Sequence, residues 1–287
     1  VGEKLNKETY YLFLKHLVFV LTSLFLLIFI SIQENRRIIK LLTPLFVISI
    51  VFLLLVPLLG VEVKGSKRWI QFLFFPKFQP IEFVKPMFIL YVAKTIMLND
   101  NMKIHNRYAV SFFSLLIIIV LLVNQPDLGQ SLLLILSWLA MIFVSGFNMF
   151  ILIILGLISI TVFIGLIYFL PSKFGYIFSR FQTFFNPSDG DNFQSQKALD
   201  AIKQGGLTGQ GMGEGILKDK VPEAHTDYIA AVISEEFGAL FVLFIIIIFL
   251  YISYRVLKKT FIINNEFLKL TLIGLLTLLI TQTFIHI

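Results

Sequence analysis

The sequence predicts an all-α polytopic membrane protein, and three observations carry that prediction. Of its 287 residues 57% are hydrophobic and only 14% charged, against roughly 25% charged residues in an ordinary soluble domain. The mean hydropathy is +0.89. Windows of about 19 residues also give repeated apolar runs long enough to cross a bilayer.

In chain order the runs lie near 12–32, 39–60, 82–98, 108–124, 128–145, 147–170, 228–254 and 268–287, which makes about eight transmembrane helices. Pro126 and Gly129 part the fourth from the fifth, and the SGFN stretch at 145–148 parts the fifth from the sixth. Between the sixth and seventh runs lies a loop, 171–226, with no apolar stretch of spanning length. Its first part, YIFSRFQTFFNPSD, has an aromatic amphipathic spacing suited to an interfacial helix. The first residues, VGEKLNKETYY, hold neither a charged n-region nor a cleavage site, so they do not read as a signal peptide. Both ends read as cut, and the chain is treated as a single membrane domain over 1–287.

Charge sets the orientation and limits the partners. One set of alternate loops holds Arg36, Arg37, Lys40, Lys103, Arg107, Arg255, Lys258 and Lys259, and the other holds Lys4, Lys7, Lys64, Lys67, Arg68 and Lys77. The richer set is assigned to the cytoplasm, which puts 171–226 outside. The net charge of +7 points, in a membrane chain, to anionic lipid or phosphate-bearing molecules rather than to nucleic acid. With no cysteine, chemistry falls to Asp, Glu, His, Lys and Arg.

Five stretches combine polar residues with apolar surroundings. In FQPIEFVK, Glu82 and Lys85 stand three apart on one helical face and can pair, either to fix packing or to serve function. In NQPDLGQSLL, Asp127 lies between two spans and reads alone as a helix N-cap. GSKRWI places Lys67 and Arg68 close to Lys64. GGLTGQGMGEG has six glycines in eleven residues. It lacks the GK[ST] of a phosphate loop and follows no strand, so it reads as a flexible or tightly turned loop. In VPEAHTDYIAAVISEEFG, Glu223, His225, Asp227, Glu235 and Glu236 crowd the start of an apolar run. A carboxylate at the bilayer centre costs about 2.5–3.5 kcal/mol, so such a cluster marks a functional rim. His225 has no second nitrogen ligand at useful spacing and makes no metal site by itself. Were Asp227 already helical, Glu235 would sit about 80° and Glu236 about 180° away, so at most one shares its cavity. Lys94 reads as snorkelling near a cytoplasmic end.

In the chain order GSKRWI, FQPIEFVK, NQPDLGQSLL, GGLTGQGMGEG and VPEAHTDYIAAVISEEFG, and at these separations, the five stretches closely resemble the SEDS family (shape, elongation, division and sporulation), from about residue 8 to 287. EGILKDKVPEAHTDY leans towards the division branch, with the elongation branch as the alternative. The resemblance implies a ten-helix fold of which helices two to nine are present, the first and last lying outside the sequence. It implies a peptidoglycan glycosyltransferase of the bacterial inner membrane that polymerises lipid II, with its catalytic face extracytoplasmic. It also implies a class B penicillin-binding transpeptidase and other division-complex membrane proteins as partners. Asp227, in the family's HTD motif, becomes the expected general base. Glu82, Lys85, Asp127, His225 and Glu235 become expected cavity residues. Lys64, Lys67, Arg68 and Lys218 or Lys220 become candidate cations for a pyrophosphate leaving group. A magnesium or manganese ion held by Asp127, Glu82 or Asp227 could share that task. A flippase for lipid-linked precursors is the main rival. It would need charges spread through the bilayer depth, whereas Glu82, Asp127 and Asp227 fall at outer helix ends.

Overall fold

The computed structural model describes residues 11–63, 66–71, 77–169, 193–217 and 228–286. Among them are ten helices: α1 (Tyr11–Ile32), α2 (Asn35–Leu59), α3 (Ile81–Met97), α4 (Ile104–Asn124), α5 (Leu128–Val144), α6 (Met149–Phe169), α7 (Phe193–Gly205), α8 (Ile229–Phe237), α9 (Ala239–Thr260) and α10 (Glu266–His286). A hairpin, β1 (Gly60–Val63) with β2 (Ser66–Ile70), follows α2. Phe13–Ile32, Asn35–Leu59, Ile104–Asn124, Ala239–Thr260 and Glu266–Ile285 are each long and apolar enough to cross a membrane. The protein is a multi-pass helical membrane protein, as the composition requires.

Three features depart from the sequence reading. The run expected as one span over 228–254 is two helices broken at Gly238, which takes φ +83°. Apolar residues continue through the break, so hydropathy cannot show it. The expected loop contains α7, whose Ala198 and Ala201 are buried against Ala231 of α8. The hairpin was not foreseen either, because strands of four and five residues fall far below the hydropathy window. The amphipathic stretch at 176–189 lies outside the described residues.

The chain divides into two compact units, Val1–Leu134 and Ile135–Ile287. In the first, α3 packs against α2 and α4. Leu53 and Val56 of α2, Phe88, Ile89, Val92 and Ala93 of α3, and Ile118 and Leu122 of α4 are fully buried. Lipid tails are as apolar as leucine, so such helices associate through close packing and hydrogen bonds rather than by escaping water. Phe46 stacks on Tyr91 with centroids 4.3 Å apart. Lys94 Nζ donates to Thr43 Oγ1 at 2.8 Å, tying α3 to α2. The second unit rests on α7 against α8, α8 against α9, and α9 against α10.

Candidate functional site

In the first unit the polar residues gather where the hairpin, the start of α3 and the α4–α5 turn meet. Antiparallel pairing sets Glu62 opposite Lys67 and Val61 opposite Trp69. Ile70 and Phe78 then exchange backbone hydrogen bonds at 2.9 and 3.1 Å, leading the chain towards α3. From β2, the Arg68 guanidinium donates to the Gln125 carbonyl at 3.1 Å and to that of Pro126. Its Nε also lies 3.8 Å from the Asp127 carboxylate, and Gln79 Nε2 donates to Asp127 Oδ2 at 3.3 Å. Gln125 Nε2 in turn donates to the Leu53 carbonyl of α2 at 3.1 Å. One planar guanidinium therefore fastens the hairpin to the turn ahead of α5, which suits its fork of donors. One turn into α3, Lys85 Nζ lies 2.8 and 2.9 Å from the two Glu82 carboxylate oxygens. The lysine side chain is 2% exposed and the glutamate side chain 46%, so the pair faces outward from its acidic end.

In the second unit the glycine-rich stretch wraps the junction of α8 and α9. The N–H groups of Gln210 and Gly211 donate to the carbonyls of Glu235 and Glu236 at 2.9 and 3.0 Å. The N–H groups of Ala239 and Leu240 donate back to Gly206 and Leu207 at 2.9 and 3.2 Å. Bare backbone is needed for that approach. A Cβ on Gly205 would lie 1.9 Å from the Ser234 carbonyl oxygen, and one on Gly209 2.2 Å from that of Glu236. One on Gly238 would lie 2.3 Å from that of Leu207. The glycines thus form a tightly turned clasp, one of the two forms the sequence allowed. Inside it Glu235 is fully buried, and its Oε1 accepts the Leu217 N–H at 2.7 Å. Among the described residues its Oε2 has no hydrogen-bond partner. Helix α8 starts at Ile229 with Tyr228 as N-cap, so the angular count from Asp227 to Glu235 does not apply. Glu235 faces the clasp.

The expected site residues therefore fall into three groups. Arg68, Asp127, Glu82 and Lys85 come together in the first unit, and Lys67 is exposed on β2. Glu235 belongs to the clasp of the second. Lys64, Lys218, Lys220, Glu223, His225 and Asp227 lie outside the described residues. Gln79 and Gln125 join the first group unforeseen, because each acts across a long sequence separation. Among the described residues no three His, Cys, Asp or Glu side chains are grouped to hold a metal. Glu82 faces Lys85 and Asp127 faces Arg68, so each of these two candidate ligands already has a cationic partner, and the third, Asp227, lies outside the described residues.

With this geometry in view, the comparisons decide the family. The family model described as a cell cycle protein of the FtsW, RodA and SpoVE group matches residues 2–287. The chain belongs to that family. The probable peptidoglycan glycosyltransferase FtsW of Caulobacter vibrioides is 31% identical over 280 residues, covering 98% of this chain and 70% of the relative. Its counterpart in Haemophilus ducreyi is 34% identical over 278 residues, covering 94% of this chain and 67% of the relative. That of Haemophilus influenzae is 34% identical over 266 residues, covering 90% of this chain and 66% of the relative. Among solved structures, a peptidoglycan synthase complex described as coordinating polymerization and crosslinking has a chain that aligns with a TM-score of 0.69. It shares 23% identity over 89% of this chain and 71% of that one. The rod shape determining protein RodA of Thermus thermophilus aligns with a TM-score of 0.64, at 21% identity over 95% of this chain and 73% of that one. These structural likenesses carry the fold.

Proposed function

We propose that this chain is a peptidoglycan glycosyltransferase that polymerises lipid II at the outer face of the bacterial cytoplasmic membrane, in the division role named for FtsW, with Asp227 as general base. The observation that carries the reading is the family match over residues 2–287, joined to relatives named as peptidoglycan glycosyltransferases at 31–34% identity. Asp227 immediately precedes in sequence Tyr228, the residue that caps α8.

The reaction joins a sugar hydroxyl to the anomeric carbon of a second sugar as the bond from that carbon to a lipid pyrophosphate breaks. The carboxylate of Asp227 takes the hydroxyl proton as the new bond forms, a contribution of typically about 10²–10⁴-fold. Pyrophosphate departs as an anion, so neighbouring cations serve where a glycosidase would need a carboxylic acid. Lys220 and Lys218 are the lysines nearest Asp227 in sequence. Glu82, Lys85, Arg68 and Asp127 keep the first unit's outer end in shape. A class B penicillin-binding transpeptidase and other membrane proteins of the division complex are the partners this reading entails. The solved synthase complex supports the first of these.

The test is glycan-chain formation from purified lipid II by the full-length protein with its transpeptidase. Asp227→Asn keeps the size of the side chain but cannot take up the hydroxyl proton, so polymerisation should fall by at least about 10²-fold with lipid II binding retained. Polymerisation by the variant at the wild-type rate overturns the assignment. Transport of lipid II without polymerisation by the wild type would establish the flippase instead.

A further inference from the structure

The two ends of α3 hold their lysines in different company. At its start Lys85 is paired with Glu82. Lys94, about 18 Å further along the axis from Glu82 at 1.5 Å per residue, faces no carboxylate among the described residues. Its Nζ donates instead to Thr43 Oγ1 of α2 at 2.8 Å. Thr43 is unlike Thr22, Thr277, Thr281 and Thr283, whose hydroxyls each donate to a carbonyl of their own helix. It accepts from the lysine and keeps its proton to donate elsewhere.

Thr43 shares its face of α2 with two more cations. Positions 36, 40 and 43 fall within about 60° of one another at 100° per residue, so Arg36, Lys40 and Thr43 form one stripe, with Arg36 and Lys40 exposed. Lys94 therefore joins Arg36 and Lys40 at one end of the α2–α3 seam. Helix stability does not call for this charge. The first turn of α2 holds no acidic residue, and cations there oppose the helix dipole. Arg37 has Glu34 at 3.5 Å, but among the described residues Arg36 and Lys40 face no carboxylate.

Beyond the cations both helices turn apolar surface outward. Val47 and Leu54 continue the α2 stripe and are exposed. On α3, Met87, Leu90 and Tyr91 lie on the face of Lys94 and are half-buried, and Tyr91 stacks on Phe46 of α2. The seam thus runs from three cations and a hydroxyl to hydrocarbon, the order of groups in a phospholipid from phosphate to acyl chain.

We propose that this end of the α2–α3 seam binds an anionic phospholipid of the surrounding bilayer, its phosphate held by Arg36, Lys40, Lys94 and the Thr43 hydroxyl and its acyl chains lying along Val47, Leu54, Met87 and Leu90. The guanidinium can take two phosphate oxygens at once and each ammonium one. Basic pockets between spanning helices suit such headgroups. A lipid fits better than an acidic protein segment, because the walls past the cations belong to α2, which is apolar enough to cross a membrane. The site lies at the other end of α3 from Glu82 and does not depend on the proposed reaction.

The experiment titrates phosphatidylglycerol into the full-length protein in neutral detergent, counting bound lipid by native mass spectrometry and following the melting temperature. Phosphatidylcholine, inorganic phosphate and polyglutamate are the comparison probes. The wild type should bind phosphatidylglycerol and melt higher with it, and should respond little to the other three. Arg36→Gln with Lys40→Gln removes two charges at exposed positions and should weaken phosphatidylglycerol binding by about 30-fold. Without added lipid this variant should melt no lower than the wild type, since two cations no longer oppose the dipole. Lys258→Gln with Lys259→Gln removes equal charge from the exposed end of α9 and should change the affinity by less than about threefold. Equal weakening in the two double variants would reduce the binding to diffuse attraction. Equal binding of phosphatidylcholine would remove charge recognition, and an equal melting shift with inorganic phosphate would remove the acyl chains. Displacement of the lipid by polyglutamate would give the face to an acidic protein segment. A lower melting temperature of the Arg36 and Lys40 variant without lipid would make these cations structural. Each of these five results overturns the proposal.

Discussion

The two units handle buried charge in opposite ways. In the first, each buried ion faces a partner of opposite sign or an ordered dipole: Lys85 has Glu82, and Asp127 has Arg68 and Gln79. In the second, a wholly buried glutamate is held by one amide within a shell of glycine backbone. Ion pairs tolerate small shifts of either side chain and hold large elements together. A backbone clasp tolerates no added atom and fixes one short stretch of chain. The first arrangement builds a scaffold, and the second sets a position.

The largest effect should come from breaking the clasp. Gly209→Ala would put a Cβ 2.2 Å from the Glu236 carbonyl oxygen at a φ of +79°, where neither strand of backbone can yield. We expect a loss of several kcal/mol and little folded protein by size-exclusion chromatography in detergent. Gly213→Ala is the matched control, because its φ of +87° is similar and its Cβ would meet nothing within 4 Å. Only the left-handed conformation is then penalised, by about 1–2 kcal/mol. Equal losses in the two variants would show that backbone conformation, and not close approach, fixes these glycines.

The scaffold should respond next, and unevenly. Glu82→Gln removes the carboxylate facing an ammonium that is 2% exposed, so melting should show a loss of about 3 kcal/mol. Lys85→Met leaves a half-exposed carboxylate that polar surroundings can solvate, and it should cost clearly less. The exchange Glu82→Lys with Lys85→Glu should recover part of either single loss in a double-mutant cycle. Strict additivity would mean that each side chain serves a different partner.

Much of this architecture was legible in the sequence, and what was not has a physical reason. Apolar runs reveal helices because a bilayer admits few alternatives, so α1 to α6 and α10 fall close to their expected places. The Glu82–Lys85 pair was legible because helical spacing alone brings it together. The Arg68–Asp127 contact was not, since no local pattern says which turn a distant arginine will reach. The glycine stretch declared its backbone freedom but not its purpose, because the carbonyls it approaches belong to Ser234 and Glu236. The break at Gly238 was hidden within a continuous apolar run, although glycine after SEEF is a recognisable helix end in retrospect.

Arg68 offers a smaller test of the scaffold. Lysine keeps the charge but cannot span the Gln125 and Pro126 carbonyls while facing Asp127, so Arg68→Lys should lose about 1–2 kcal/mol in melting. The hairpin would be released from the α4–α5 turn with α2 to α4 still packed. A cross-link between cysteines placed at 67 and 125 would report that release as a lower yield. Undiminished stability and cross-linking would show that strand pairing alone seats the hairpin.

The smallest effect should come from Glu34, which pairs with Arg37 at the same three-residue spacing as Glu82 and Lys85. The separation is 3.5 Å, but the side chains are 71% and 69% exposed. Exposed pairs of this kind are worth about 0.2–1 kcal/mol, since the surroundings solvate either charge alone and salt screens their attraction. Glu34 also caps the start of α2 without a side-chain hydrogen bond to its backbone, so only a modest interaction with the helix dipole is added. Glu34→Gln should therefore shift stability by no more than about 0.5 kcal/mol, and raising salt should erase the shift. Spacing is held constant between the two pairs and burial is not, so the ratio of their losses isolates burial as the source of the scaffold's strength. A loss at Glu34 equal to that at Glu82 would remove burial from the explanation and leave helical spacing in its place.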